Sequence, residues 1–247
     1  MELIAEYFLY FIIYSFLGWT MEVICKLVEL KKFVNRGFLI GPICPIYGYG
    51  VLAIVLIIGS FKGDLLAVFL KSILVCSILE YLTSYLMEKI FKARWWDYSN
   101  KKFNLNGRIC LETMIPFGIL GCTVIYILHP IIVNLVNIID PKLTILIAII
   151  LFIIYILDNV FSFLILSKIG KYIKFSKKDN TEAIKKSIDK WLLSNSVFYR
   201  RLKNAYPNFV INIKKFNNNI KEQQKKWMKQ EKLRKVKLKE KNKKGRK

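Results

Sequence analysis

The sequence predicts an all-α, polytopic integral membrane protein with about five transmembrane helices and a basic, amphipathic helical cytoplasmic tail. Hydrophobic residues make up 54% of the 247 positions although the formal net charge is +23, a combination that one soluble domain does not support. The charge is segregated: residues 168–247 hold 27 of the 40 Lys and Arg and 6 of the 17 acids, against 13 and 11 in residues 1–167. Five apolar stretches, approximately Leu3–Leu27, Pro45–Ser60, Leu65–Ile90, Ile109–Ile132 and Leu143–Leu166, reach or approach the length of a span, which takes about 20 residues. Residues 1–167 are therefore read as a transmembrane domain and 168–247 as the tail.

The first span begins Met1-Glu2, with no early Lys or Arg and no small-residue cleavage site, so it is expected to stay as an anchor rather than be removed as a signal peptide. The second is short and is expected to tilt little or to borrow Tyr47 and Tyr49 at the interface. Lys and Arg accumulate in every second loop: Lys31, Lys32 and Arg36 after span 1, then Lys92, Arg94, Lys101, Lys102 and Arg108 after span 3, then the tail after span 5. Positive charge near span ends stays in the cytoplasm, which places the N-terminus outside, the C-terminus inside, and the chain in the cell inner membrane.

Lys31-Lys32-Phe33-Val34-Asn35-Arg36-Gly37 aligns without gaps on Lys101-Lys102-Phe103-Asn104-Leu105-Asn106-Gly107 at an offset of 70, suggesting two parallel helical hairpins, spans 1–2 and 3–4, with span 5 appended. In the tail, Ile184, Ile188, Trp191, Phe198 and Leu202 keep helical spacing, as do Phe209, Ile213, Phe216, Ile220 and Trp227. Two amphipathic helices parted by Pro207 follow, helical to about residue 230 and then frayed or disordered. The five cysteines form no CxxC pair and read as packed thiols.

Ionisable groups inside a span each cost about 2.5–3.5 kcal/mol on insertion scales and call for a partner or a purpose. Glu22, Glu80, Glu112 and Asp158 all fall at or below mid-depth on the cytoplasmic side, where a shared inward-open polar cavity would lie. Ser77, Ser84 and Glu88 extend Glu80 into one polar stripe. Pairing of Glu22 with Lys26 one turn along is the simplest structural reading of that residue. The loop Asn35-Arg36-Gly37 through Gly48-Tyr49-Gly50 contains two prolines and four glycines, so a broken helix or re-entrant turn is implied, its free N–H groups suited to an anion. The second loop packs Trp95, Trp96, Asp97, Asn104, Asn106 and Arg108 closely. An interfacial belt explains the tryptophans but not the polar residues beside them. His129, alone before Pro130, reads as an interfacial residue. No Walker A, HExxH, GxSxG or dinucleotide motif is present, and no catalytic, cofactor or metal set is expected.

The strings Tyr14-Ser15-Phe16-Leu17-Gly18-Trp19 with Glu22, Asn35-Arg36-Gly37-Phe38-Leu39, Gly41-Pro42-Ile43-Cys44-Pro45-Ile46-Tyr47-Gly48, Arg94-Trp95-Trp96-Asp97-Tyr98-Ser99 and Phe103-Asn104-Leu105-Asn106-Gly107-Arg108 resemble the bacterial membrane family called putative ABC-transporter permease, type IV. The resemblance covers roughly residues 7–120, with an echo in span 5 and in Arg201–Pro207. It implies a permease-like transport protein served by an ATPase subunit in trans. Three functions stay open on the residues themselves. The first is transport through an inward cavity lined by Glu22, Asn35, Arg36, Glu80, Trp95, Trp96, Asp97, Asn104, Asn106, Arg108, Glu112 and Asp158. The second is a membrane-embedded enzyme on a lipid-linked or phosphorylated substrate, with Arg36, Arg108 and the broken-helix amides holding phosphate. The third is a scaffold or regulator whose basic tail binds anionic lipid headgroups. Membrane lipids are partners in all three; the sequence sets no substrate and no oligomeric state.

Overall fold

The computed structural model describes residues 1–31, 33–59, 63–91 and 95–175, with side chains through residue 164 except residue 30. The tail helices expected beyond residue 175 lie outside the described residues. Among those described, the apolar runs form helices α1 (Glu2–Leu30), α2 (Pro45–Ile58), α3 (Leu65–Phe91), α4 (Leu111–Thr123), α5 (His129–Asn137) and α6 (Pro141–Phe175). A π-helical segment, Val124–Leu128, joins α4 to α5. It lies just ahead of Pro130, which has no N–H to give the Tyr126 carbonyl and whose ring crowds it; the wider turn accommodates both.

Among the described residues four stretches are long and apolar enough to cross a membrane: Glu2–Glu29, Leu65–Phe91, Leu111–Asn137 and Pro141–Leu164. The chain is a multi-pass membrane protein. α2 is apolar but has only 14 residues, about 21 Å of helix, against a hydrocarbon core of about 30 Å. Its start explains its length. Cys44 N–H donates to the Ser15 carbonyl at 2.9 Å, so α2 begins beside the middle of α1 and runs only along its N-terminal half. The non-helical segment from Phe33 to Cys44 lies against the other half.

α1 packs on α2 and α3 on α4, giving the two expected hairpins; α2 also lies against α3, and α6 leans on α1. Both hairpins close on a glycine opposite a serine. A Cβ on Gly48 would meet Ser15 Oγ and, at 2.5 Å, the Phe11 carbonyl oxygen; one on Gly121 would meet the Ser72 side chain. Small residues allow such backbone approach where lipid offers no hydrophobic drive to hold helices together. His129 lies within the bundle rather than at a bare interface: its ring stands edge-on to Tyr10 at 5.4 Å, and Nδ1 is 3.3 Å from the Tyr14 hydroxyl. This ties α5 to α1 beside a core of Leu9, Tyr10, Tyr14, Ile132 and Val136.

The all-α expectation needs one small correction. Strands β1 (Asn104–Leu105) and β2 (Ile109–Cys110) pair antiparallel. Asn106 and Gly107 take φ of 55° and 69°, the left-handed turn conformation that Asn-Gly favours in hairpins.

Glycine substitutions in the hairpins test this packing. Gly48→Ala and Gly121→Ala should each destabilise the purified protein by about 1–3 kcal/mol through overpacking. Gly50→Ala, where an added methyl meets nothing within 4 Å, should be neutral or slightly stabilising. Thermal unfolding in detergent reads all three.

Candidate functional site

The polar residues gather at the end of the bundle that carries both long connections. Helical spacing brings Trp19 and Glu22 of α1 toward the Phe33–Cys44 segment. There Trp19 Nε1 donates to Asn35 Oδ1 at 2.7 Å, and Arg36 Nη1 reaches Glu22 Oε2 at 3.1 Å. The other Glu22 oxygen accepts from the Tyr47 hydroxyl at 2.7 Å. Lys26 pairs with Glu29, not with Glu22. Tyr47 can reach this carboxylate because its ring lies over Gly18, where a Cβ would collide with it.

The segment between Arg36 and Cys44 turns at Gly37, with φ 111°, and its backbone is answered from α6. The Ile40 and Gly41 N–H groups donate to the two Asp158 carboxylate oxygens, each at 2.8 Å. Ser162 donates to the same carboxylate at 3.1 Å. A side chain at Gly41 would meet Asp158 Oδ2 at 2.8 Å, so only glycine permits the approach.

The second connection docks on the polar stripe of α3. Arg108 is buried; its guanidinium reaches Glu88 at 2.7 Å and Ser84 Oγ at 3.3 Å. It also lies 5.6 and 5.4 Å from the ring centroids of Tyr81 and Tyr85, within cation–π range. Asn106 donates to the Tyr81 hydroxyl at 2.9 Å, and Trp96 Nε1 to the Arg108 carbonyl at 3.0 Å. Asn104 shapes the turn through Lys101 O and Gly107 N, and Asp97 receives the backbone N–H and hydroxyl of Ser99. Tyr98 N–H donates to Gly107 O at 2.8 Å, which aims its hydroxyl at Glu80 Oε1, 3.3 Å away. Burial first, then the nearby Glu80 charge, push the Tyr98 phenol well above its ordinary value, so it keeps its proton and donates. Trp95 is buried against Phe91 and Phe38, locking the two connections together.

The two connections meet. The Glu22 charge reaches Tyr98, and Tyr98 lies within electrostatic range of Tyr47. Glu22, Tyr47, Tyr98 and Glu80 thus form one polar core, with Arg36, Asn35, Trp96, Asn106 and Arg108 around it. Asp158 stands on the α6 side of the first connection. Glu112 is not drawn in: it is exposed and pairs with Lys101 at 2.7 Å, a hydrogen bond and charge that push the lysine upward. Sequence reasoning missed the phenols. Tyr47 reads as an interfacial residue, and Tyr81 and Tyr85, one turn apart on the Glu80–Glu88 stripe, carry the signal that finds the Arg108 seat. Among the described residues no group of His, Cys, Asp and Glu is arranged to hold a metal ion.

Two substitutions probe these contacts. Arg108→Met takes from the buried Glu88 its 2.7 Å guanidinium contact, with a loss of up to about 3–5 kcal/mol expected; pairing it with Glu88→Met should recover part of that loss in a double-mutant cycle. Asp158→Ala removes the acceptor of the Ile40 and Gly41 N–H groups and should cost about 1–3 kcal/mol in all. Asp158→Asn, which keeps one acceptor oxygen, should fall between wild type and Asp158→Ala on the same unfolding assay.

No curated protein and no solved structure matches the chain. A family model described as "Putative ABC-transporter type IV" matches residues 9–163, a region that contains both hairpins, both polar connections and Asp158. The chain belongs to this putative ABC-transporter type IV family.

Proposed function

We propose that this chain is a permease-like membrane subunit of a transporter, working with an ATPase subunit in trans. The observation that carries the reading is the polar core of Glu22, Tyr47, Tyr98 and Glu80. Acids inside a helical bundle are expensive and mark solute or ion paths, and these lie where two helix hairpins meet. α2 and the extended Phe33–Cys44 segment together make the fifth crossing. That keeps the alternation of Lys- and Arg-rich loops intact, so the N-terminus lies outside, the C-terminus in the cytoplasm, and the polar core opens toward the cytoplasm. The basic tail then faces anionic headgroups. Glu112, exposed beside Lys101, belongs to the cytoplasmic rim of this path rather than to its lining.

The geometry favours the enzyme reading less. Its phosphate-holding groups are already engaged: the Ile40 and Gly41 amides by Asp158, Arg36 by Glu22, and Arg108 by Glu88. An incoming phosphate must displace a carboxylate from each.

Purification of the tagged full chain from its native host in mild detergent is expected to recover an ATP-binding subunit. Glu22→Gln and Tyr47→Phe should accumulate normally yet lose the solute uptake that a deletion strain also loses. Recovery of no ATPase, together with an unchanged uptake profile in the deletion strain, overturns the transport reading.

A further inference from the structure

The acids set among the described helices, Glu80 and Glu88 buried and Glu22 and Asp158 partly so, are not neutralised alike. Glu22 holds Arg36 and the Tyr47 hydroxyl. Glu88 holds Arg108 at 2.7 Å. Asp158 holds two backbone N–H groups and a serine hydroxyl. Glu80, 8% exposed, has the Tyr98 hydroxyl on Oε1 and no hydrogen-bond donor on Oε2. The Thr113 hydroxyl lies within hydrogen-bonding reach of the carboxylate, but its single proton goes to the Cys110 carbonyl at 2.9 Å. One turn away on the same buried face, Ser77 is 5% exposed and its Oγ also has no partner. Ser15 and Ser72 are likewise unpartnered, yet each fills the space opposite a glycine; Ser77 has no such packing duty. A carboxylate oxygen and a hydroxyl, both buried and both without a hydrogen-bond partner, therefore lie one helical turn apart on α3. Neither phenol nor hydroxyl supplies charge, and a buried carboxylate without a cation is strongly disfavoured.

We propose that Glu80 is the seat of one monovalent positive charge delivered into the bundle, with Ser77 and Tyr98 supplying flanking hydroxyl oxygens. One carboxylate and neutral oxygens match a single charge: a proton, an alkali cation, or the ammonium group of a solute. A divalent ion wants more carboxylates than this site has. The groups facing Glu80 are Cys76 from its own helix, Thr113 from α4 and Tyr98 from the second connection, with Glu22 of α1 beyond Tyr98. None of them is a cation. The site deepens the transport reading by naming the charge that the polar core binds, and it rests on that reading only for its purpose.

Binding is read on the purified full chain, without ATPase or transport. Failure here leaves the transport reading standing, and failure of ATPase recovery leaves this site standing. The unfolding midpoint is followed by tryptophan fluorescence in sodium, potassium and methylammonium chloride against choline chloride at equal ionic strength, and across pH in choline. A bound cation raises the midpoint with concentration. Wild type is expected to show that rise for one of the three cations, and Glu80→Gln to lose it. If a proton supplies the charge, the salts do not differ, and the wild-type midpoint falls on raising the pH where that of Glu80→Gln does not. Ser77→Ala should weaken the response at least threefold, and Tyr98→Phe should weaken it as well. These two decide the matter if Glu80→Gln does not fold. Identical behaviour of wild type and variants in every salt and at every pH overturns the proposal.

Discussion

An extended peptide inside a bundle of apolar helices has no water to satisfy its N–H and C=O groups, and each one left unpaired there costs several kcal/mol. The Phe33–Cys44 segment exists because the protein meets that demand from both sides. Asp158 and Ser162 of α6 take the Ile40 and Gly41 amides, and the Ser15 carbonyl of α1 takes Cys44. The consequence reaches well past the segment. Held there, it lets α2 start halfway along α1, which sets Tyr47 over Gly18 and within 2.7 Å of Glu22. An acid on α6 thus positions the phenol of α2. The amides share its charge, so Asp158 acts as scaffold to the polar core.

The two hairpins solve similar problems with the parts distributed differently. Each connection turns on a glycine with positive φ, Gly37 and Gly107, the pair that the internal repeat aligns. Each ends in a buried cysteine at a helix N-cap, Cys44 and Cys110. In each hairpin one arginine and one phenol from beyond the first long helix reach back to acids on it, Tyr47 from the first turn of α2 and Tyr98 from the second connection. In the first hairpin both reach the same carboxylate, Glu22. In the second they part: Arg108 goes to Glu88 and Tyr98 to Glu80, two turns apart on α3. The first acid is saturated, whereas one acid of the second is left with a neutral partner.

The long apolar helices, the pairing of α1 with α2 and α3 with α4, and the polar stripe on α3 were legible in the sequence, because lipid enforces length, apolarity and burial of charge wherever they occur. Asp158 was legible as an acid out of place, but not as the acceptor for Ile40 and Gly41, since no local pattern links residues 118 and 117 positions apart. Glu112 misled through position alone: a helix entry can face the core or the rim, and its ion pair with Lys101 at 2.7 Å is formed at the rim. Lys26 looked like the partner of Glu22 because one helical turn separates them, yet Lys26 pairs with Glu29 and the Arg36 guanidinium, brought back by the connection, reaches Glu22 at 3.1 Å. The phenols escaped notice because tyrosine near a span end has an ordinary interfacial explanation. Only the close approach over Gly18 turns Tyr47 inward.

The second connection is held unevenly, and that bears on how the core can change shape. Arg108 is clamped by a charge-assisted contact of 2.7 Å to Glu88, by Ser84 and by two aromatic faces. Trp96 and Asn106 tie the same short stretch to its surroundings. Tyr98 is joined to Glu80 by a single hydrogen bond at 3.3 Å, beyond the usual O–H···O distance, against the several contacts that hold Arg108. Any rearrangement that exposes Glu80 therefore breaks at Tyr98 before it breaks at Arg108. Tyr98, which the Glu22 charge also reaches, is thus the more lightly held of the two side chains that the second connection sends to α3.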